Sequence, residues 1–159
     1  MKYSSIESFE ITNGTGIGVS IFTQGCNRHC SGCFNQEIWG LDGGRVWTSL
    51  VEDHVIGYLN REGITRLSIL GGEPLLDRNI DDLTRLLRRV RDVYGDSKKI
   101  WLYTGETFED VVDKYPELFS YVDVVVDGPF EIDKRDLTIP FRGSRNQRVI
   151  NVKTKEVIY

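Results

Sequence analysis

The chain has no long apolar run, no apolar signal core and no tail of one charge. Its first residues, Met1–Glu7, are too polar for an export signal, and no apolar stretch approaches the length of a membrane span. Lysine and arginine total 20 and aspartate and glutamate 24, so composition gives no sign of binding to nucleic acid or to a membrane surface. At 159 residues we expect one domain, 1–159, with one hydrophobic core.

Cysteine is scarce, and its three copies, Cys26, Cys30 and Cys33, all lie within eight residues. An odd number cannot pair completely into disulfides. Free thiols without an export signal indicate a reducing compartment, so we expect the protein to be cytoplasmic. A closed zinc site or a fully ligated iron–sulfur cube needs four protein ligands. Three thiolates on one loop can instead hold three corners of a four-iron cluster and leave the fourth iron open to a small molecule.

Histidine, the other common ligand of zinc, occurs only twice. His29 is adjacent to Cys30, which makes it awkward for both side chains to close one tetrahedron, and His54 lies in a predicted helix. The loop therefore favours an iron–sulfur cluster, while a surface zinc clip through His29 and chance clustering of the thiols stay open as alternatives.

Strand-like and helix-like segments alternate along the chain. Apolar and β-branched runs predict strands over residues 17–23, 65–70, 99–104 and 121–127, with a closing hairpin over 149–159. Helical spacing and capping signals predict helices over residues 49–61, 80–94 and 107–115. Ser49 and Glu52 form a possible capping box for the first of these helices. Four strands, three of them linked through helices, indicate an α/β fold with a parallel sheet.

The unusual loops all follow predicted strands. The cysteine loop follows the first strand, Gly71–Pro74 the second, Thr104–Gly105 the third and Asp127–Pro129 the fourth. Ligands of parallel sheets bind beyond the carboxyl ends of the strands, so these loops are expected to meet at one edge. Each of the last three is also an ordinary turn sequence, and only its convergence with the thiols makes it a candidate site.

The C-x3-C-x2-C loop after a first strand and Gly71–Pro74 after a second resemble the radical S-adenosylmethionine (SAM) enzymes. Further segments resemble one branch of that superfamily, the anaerobic (class III) ribonucleotide reductase activating enzymes: residues 13–16, 33–35, 39, 101–105, 126–128 and 142–147. The cysteine triplet is specific to the superfamily, and Arg-Gly-Ser-x-Asn-Gln at 142–147 narrows it to the branch. The resemblance spans residues 13–148 and implies a partial (β/α) barrel with a parallel sheet core.

The resemblance also implies how cofactors would be held. Cys26, Cys30 and Cys33 would ligate three irons of a 4Fe–4S cluster, and SAM would chelate the fourth through its amino and carboxylate groups. Backbone carbonyls and a carboxylate suit the SAM amine, and Gly71, Gly72 and Glu73 would supply them. The other cofactor-binding residues would be Gly32, Cys33, Phe34, Asn35, Thr104 and Asp127. No catalytic side chain is implied beyond the cluster and SAM.

The same resemblance implies protein partners. A flavodoxin or ferredoxin would reduce the cluster, and the large subunit of the anaerobic ribonucleotide reductase would receive a glycyl radical. The mouth of the sheet would stay open to a protein segment, because little chain remains after the core β/α units. The residues expected to receive that segment are Arg142, Arg145, Asn146 and Gln147. Because the glycine turn and the thiol loop are separate in sequence, cluster content and SAM affinity are expected to be separable.

One position departs from the family pattern. The glycine-rich segment of the family continues Gly-x-Gly-x-Arg, whereas this chain reads Gly14-Thr15-Gly16-Ile17-Gly18. The candidates to replace the missing cation are Arg28, Arg142, Arg145 and Arg148.

Three other functions stay open. An activase of another glycyl-radical enzyme, of the pyruvate formate-lyase type, would use the same chemistry, but those activases are longer and lack the 142–147 segment. A compact small-molecule radical SAM enzyme, of the 7-carboxy-7-deazaguanine synthase type, would have to enclose its substrate. A non-catalytic iron–sulfur or zinc module would explain the thiols but not Gly71–Pro74, and it should neither bind nor cleave SAM.

Overall fold

A seven-stranded sheet organises the computed structural model, which describes residues 1–159. The strands are β1 (Lys2–Glu10), β2 (Ile17–Thr23), β3 (Arg45–Val46), β4 (Ile64–Gly71), β5 (Lys99–Tyr103), β6 (Val124–Asp127) and β7 (Arg148–Asn151). The helices are α1 (Ser49–Leu59), α2 (Asp77–Tyr94), α3 (Phe108–Val112) and α4 (Pro116–Ser120), with short 3-10 helices at Gln36–Ile38 and Ile132–Lys134. None of the helices combines the length and the apolar character that crossing a membrane requires.

The centre of the sheet is parallel and its edges are antiparallel. The strand order is β3-β1-β2-β4-β5-β6-β7. Strands β2, β4, β5 and β6 run parallel, whereas β1, β3 and β7 pair antiparallel with their neighbours. The outer strands β3 and β7 do not pair with each other, so the sheet is open. The predicted parallel core is therefore confirmed, and the carboxyl ends of its four strands share one edge.

Helix α2 shows how the sequence specifies its elements. Leu83, Leu87 and Val90 recur at helical spacing and are buried in the main core. Full burial of each such side chain contributes about 1.5–3 kcal/mol. Gly95 ends the helix with a φ of 56°, a conformation that favours glycine. The predicted helix and its end are confirmed, with a start at Asp77.

Two predicted element ends are wrong. The N-cap of α1 is Thr48, whose hydroxyl accepts the N–H of Val51 at 3.2 Å, so Ser49 and Glu52 form no capping box. Glu52 is instead buried, where it accepts the indole N–H of Trp47 and pairs with arginines of α2. The helix expected over 107–115 ends at Val112, and the separate helix α4 follows it.

The two ends of the chain also differ from expectation. Strands β1 and β3 were not predicted, because the segment Lys2–Glu10 has few β-branched residues and mixes polar with apolar ones. At the other end β7 is a regular strand, but its return arm is reduced to a single bridge between Ile150 and Val157. The expected hairpin is thus present only in part.

Side chains alternate along the central strands and divide the sheet into two faces. One face packs on the helices and carries the main core of 23 buried residues, including Ile21, Leu67 and Leu102. The opposite face we call the cavity face. Its residues are Gly18, Ser20 and Phe22 of β2, Arg66, Ser68 and Leu70 of β4, Trp101 and Tyr103 of β5, and Val124 and Val126 of β6.

Candidate functional site

A cavity of about 570 Å³ lies at the carboxyl edge of the parallel strands. Its walls contain all three cysteines, the Gly71–Glu73 turn and the Tyr103–Gly105 segment. These are loops that follow three different strands of the parallel core. The fourth loop, Asp127–Pro129, reaches the same cavity through Gly128, so the expected meeting of the unusual loops is found for all four of them.

The cysteine loop is fixed at its root by backbone hydrogen bonds to the segment that follows it. Gly25 donates to the carbonyl of Ile38 at 2.8 Å and Cys26 donates to that of Trp39 at 3.1 Å. Cys26 is buried, whereas Cys30 and Cys33 are partly exposed, and all three are free thiols. Backbone N–H groups also point at two of the sulfur atoms, from Arg28 to Cys26 Sγ and from Asn35 to Cys33 Sγ. Such N–H groups stabilise a thiolate and tune a cluster that it holds.

The three thiols line one cavity, and neither histidine lies among its wall residues. No set of three or more His, Cys, Asp or Glu side chains lies close enough together to hold one metal ion. Ligands of one tetrahedral zinc lie about 3.8 Å apart when each zinc–sulfur bond is about 2.3 Å. In a cube each thiolate binds a different iron, so its ligands are spread more widely. His29 does not join the thiols; its ring stacks on Trp39 at a centroid distance of 4.5 Å.

The glycine turn is packed directly on the root of the cysteine loop. The N–H of Glu73 donates to the carbonyl of Gly25 at 2.8 Å, and that of Gly72 donates to Thr23 at 3.0 Å. A Cβ on Gly72 would overlap the carbonyl oxygen of Gly25, and one on Gly71 would overlap the backbone of Thr23. The two segments are separate in sequence but form one unit in space, so we expect a side chain at Gly72 to disturb the root of the cysteine loop as well as the turn.

Gly72→Ala is expected to lower both the free energy of unfolding and the iron content after reconstitution. The added methyl meets backbone that no side-chain rotation can move, and overpacking of this kind costs about 1–3 kcal/mol. Urea unfolding of the metal-free protein measures the first effect and an iron assay the second. Gly57→Ala is the matched control, because Gly57 is exposed on α1 with nothing near its Cβ position. Equal unfolding of Gly72→Ala and the parent protein would contradict the tight packing.

Glu73 is the most heavily bonded residue of the site. Its buried carboxylate accepts the N–H groups of Leu75 and Gly105 and the hydroxyl of Thr104, at 2.8–2.9 Å. The guanidinium of Arg28 lies 3.8 Å from it and pairs more closely, at 2.6 Å, with Glu106. Burial raises the pKa of Glu73 despite these contacts. The side chain thus ties the ends of β4 and β5 to the cysteine loop.

The structure divides the other predicted cofactor residues into two groups. Phe34, Asn35 and Thr104 line the cavity. Gly32 does not, because it packs against Ile132, whose Cδ1 atom would lie 2.5 Å from a Cβ there. Asp127 also lies outside the cavity wall. Its carboxylate accepts the N–H of Phe108 and pairs with Arg148, contacts that fasten α3 and β7 to the sheet.

The 142–147 segment closes one side of the cavity. The side chain of Gln147 holds the loop from inside: its Oε1 accepts the N–H groups of Gly143 and Ser144, and its Nε2 donates to Gly128. Asn146 donates to the carbonyl of Pro129 at 2.7 Å. Of the four residues predicted to bind a partner, Arg142 and Gln147 line the cavity, whereas Asn146 does not and Arg145 is exposed outside it.

The structure brings an unforeseen arginine to the position where the family pattern has one. Gly18 of β2 pairs in register with Arg66 of β4. A Cβ on Gly18 would lie 2.8 Å from the guanidinium carbon of Arg66, so that cation already fills the space. None of Arg28, Arg142, Arg145 and Arg148 does so. The buried Arg66 pairs with Glu10, which lies outside any predicted element, so spacing along the chain gave no signal for this pair.

Several residues of the cavity wall were not predicted from the sequence to bind a cofactor or a partner. They include Asn13, Phe22, Trp39, Tyr103, Phe130 and Phe141. Tyr103 was within reach, since it points to the cavity face immediately before Thr104 at the end of a predicted strand. The others lie in loops or depend on which face of β2 is turned to the cavity.

Comparisons with known proteins agree with this site. A family model described as a 4Fe-4S single cluster domain matches residues 12–150. The anaerobic ribonucleoside-triphosphate reductase-activating protein of Vibrio cholerae is 37% identical over 149 residues, covering 92% of this chain and 96% of that protein. The proteins of the same name from Escherichia coli and from enterobacteria phage T4 are 33% and 34% identical over 155 and 149 residues. These two matches cover 96% and 94% of this chain, and 100% and 93% of the relatives. With its three thiols gathered at one cavity and these relatives along nearly its whole length, the chain belongs to the family of anaerobic ribonucleoside-triphosphate reductase-activating proteins.

Proposed function

We propose that the chain is a radical SAM activating enzyme that generates a glycyl radical on the large subunit of an anaerobic ribonucleotide reductase. The observation that carries the proposal is the set of three thiols, and no fourth, around a cavity whose volume suits a small molecule. In this proposal the open sheet is the partial barrel of radical SAM enzymes, and residues 1–159 form a single such domain.

The thiols of Cys26, Cys30 and Cys33 would hold a 4Fe–4S cluster with one iron left open. When bound and reduced by a flavodoxin or ferredoxin, the cluster would supply the electron that cleaves a carbon–sulfur bond of SAM. The protein would bind and orient the cluster and SAM, and it would exclude water from them. Phe22, Leu70 and Val126 form an apolar wall on the cavity face, which keeps solvent from a reactive centre.

The Gly71–Glu73 turn would hold the SAM amine mainly through its backbone. Gly71 has a φ of 121°, which lets the backbone pass close to both Thr23 and a ligand. The Glu73 carboxylate already accepts three hydrogen bonds, so its contribution to the amine would be chiefly charge. Phe34, Asn35 and Thr104 would complete the SAM contacts from the cavity wall.

The cavity rim would receive a glycine-containing segment of the reductase. Phe34 and Leu137 both line the cavity and remain 50% and 68% exposed, so a protein segment that enters the mouth would bury apolar surface against them. Arg142 lies beside them on the wall and can pair with the backbone or a carboxylate of the segment. Arg145 would contact the partner farther out, while Asn146 and Gln147 would act by holding the loop.

Electron paramagnetic resonance tests the proposal directly. Reduced, cluster-loaded enzyme mixed with SAM and the reductase is expected to give the doublet of a glycyl radical on the reductase. Arg142→Ala is expected to lower the radical yield several-fold without lowering iron content, because it removes a rim cation outside the cysteine loop. Arg45→Ala is the matched control and should leave the radical yield unchanged, since Arg45 is exposed on the edge strand β3 and does not line the cavity.

The other functions predict different results in the same experiment. An activase of the pyruvate formate-lyase type would place its radical on that enzyme and leave the reductase without signal. A deazaguanine-forming enzyme would turn over its small substrate instead. A non-catalytic iron–sulfur module would not cleave SAM at all. Any of these outcomes would overturn the proposed function.

A further inference from the structure

The amino-terminal half of the cavity face holds a buried cation. Arg66 is fully buried on β4, between the backbone of Gly14 and Gly18. A Cβ on Gly14 would lie 2.6 Å from Arg66 Cδ and 2.9 Å from the ring of Trp101. Glycine at both positions is therefore what allows the guanidinium to fit beneath the segment that follows β1.

Only one nitrogen of this guanidinium finds a protein partner. Arg66 Nη2 pairs with the carboxylate of Glu10 and donates to its carbonyl at 3.2 Å. The same carboxylate also accepts the Ser20 hydroxyl at 2.6 Å and the N–H groups of Thr12 and Asn13 at 2.7 and 3.0 Å. The Glu10 carboxylate thus has no free position for a further hydrogen bond. Nε and Nη1 of Arg66 are buried with no acceptor.

Tyr103 adds a further unpartnered donor on the same face, at the carboxyl end of β5. Its hydroxyl is buried without a hydrogen-bond partner, yet the residue lines the cavity. The positive charge of Arg66 acts on this hydroxyl from farther down the cavity face. Burial raises the pKa of Tyr103 well above its ordinary value, and the Arg66 charge offsets only part of that rise. The phenol therefore stays protonated and remains able to donate.

We propose that Tyr103, backed by Arg66, forms a hydrogen-bond donor site on the inner wall of the cavity for an acceptor oxygen of the bound ligand. A protonated phenol donates one hydrogen bond, and the positive charge of Arg66 on the same face favours an acceptor that carries negative charge. The complement is a carboxylate or carbonyl oxygen, not an amine. Buried donors without partners are rare in folded proteins, which indicates that a ligand completes the Tyr103 hydroxyl.

This inference rests on the proposed function, under which two sources can supply such an oxygen. One is the carboxylate of SAM, and the other is a peptide carbonyl of the reductase segment that carries the glycine. Both present an acceptor with no proton of its own. The site would be a positioning site: Tyr103 orients the ligand, and the Arg66–Glu10 pair holds the Thr12–Asn13 wall.

Tyr103→Phe tests the site because it removes one hydroxyl and keeps the ring. Cluster-loaded protein is assayed for SAM affinity by equilibrium dialysis, and then for glycyl radical formed per SAM cleaved. A rise of roughly ten-fold in the SAM dissociation constant identifies the SAM carboxylate, as expected for loss of a hydrogen bond to a charged group. An unchanged constant with a roughly ten-fold lower radical yield per SAM cleaved identifies the peptide carbonyl.

Controls separate this inference from folding effects and from the proposed function. Tyr115→Phe makes the same chemical change at a partly buried tyrosine that donates to Asp77, away from the cavity, and is expected to leave both values unchanged. Tyr103→Phe should unfold in urea like the parent, because its hydroxyl has no protein partner; a clear loss of stability would overturn the site. Parent-like SAM affinity and radical yield in Tyr103→Phe would also overturn it while leaving the proposed function intact. A parent protein that neither binds SAM nor activates the reductase would overturn both.

Discussion

Replacing any one of Cys26, Cys30 and Cys33 by alanine is expected to remove most of the iron that the parent protein takes up. The parent should bind about four irons per chain after anaerobic reconstitution, as a thiolate-held cube does. The chain has no other cysteine, so no thiol can take the place of a missing one. Radical formation on the reductase should fall below detection, since an incomplete cube cannot present an open iron in a fixed place.

Iron and sulfide assays with the visible absorbance spectrum measure this loss. Ser31→Ala is the matched control, because Ser31 is an exposed residue of the same loop and should leave iron content unchanged. Circular dichroism should show that the cysteine variants stay folded. Stable uptake of one zinc by the parent protein, without iron–sulfur absorbance, would contradict the cluster and support the zinc clip instead.

Arg66→Met is expected to lower the free energy of unfolding by about 3–5 kcal/mol, the usual cost of leaving a buried charge without its partner. The substitution keeps most of the side-chain volume but leaves the carboxylate of Glu10 without its ion-pair partner. That carboxylate also accepts the N–H groups of the Thr12–Asn13 turn. Chemical unfolding of the metal-free protein measures the change. Glu10→Gln in the same chain should recover part of the loss, because it neutralises the stranded charge.

Arg85→Met is the control for the general loss of an arginine. Its side chain is 51% exposed, and the buried Glu52 that it contacts keeps its pair with Arg89, so the expected cost is below about 1 kcal/mol. Equal effects of the two substitutions would show that Arg66 is not held as a buried ion pair.

The Glu10 pair also predicts a pH dependence. Burial alone would raise the pKa of Glu10, but the Ser20 hydroxyl, the Asn13 N–H and Arg66 outweigh it and lower the pKa below its ordinary value. A lowered carboxyl pKa stabilises the fold above the unfolded-state pKa of about 4.3, and this contribution is lost as pH falls through the folded-state value. Glu10→Gln should therefore lose less stability on acidification than the parent does.

The regular spacing of apolar residues along the chain made the fold predictable. The apolar runs of the four parallel strands and the spacing of leucines in α2 are local signals, and each predicted its element. The cysteine loop and the glycine turn were placed at one edge because parallel strands end together. Strand β1 lacked such a signal, since Lys2–Glu10 reads as a mixed polar segment until its partner β2 is known.

Contacts between distant residues are what the sequence could not supply. Glu73 lines the cavity, but the sequence did not show that its carboxylate accepts hydrogen bonds from Thr104 and Gly105, some thirty residues on. Asp127 looked like a site residue because it ends a strand, yet its carboxylate pairs with Arg148 and accepts the N–H of Phe108 in α3. Such partners depend on register and side-chain direction, which spacing along one chain does not fix.

The division of the sheet into a helix-packed face and a cavity face has a consequence for the lifetime of the protein. The 23 residues of the main core lie on the side away from the thiols, so the fold does not depend on the metal for its apolar burial. Damage by oxygen should then empty the centre without unfolding the chain. Because Cys30 and Cys33 remain partly exposed, fresh iron and sulfide can reach them. A cell that returns from air to anaerobic growth could thus repair its existing molecules in place instead of synthesising new ones.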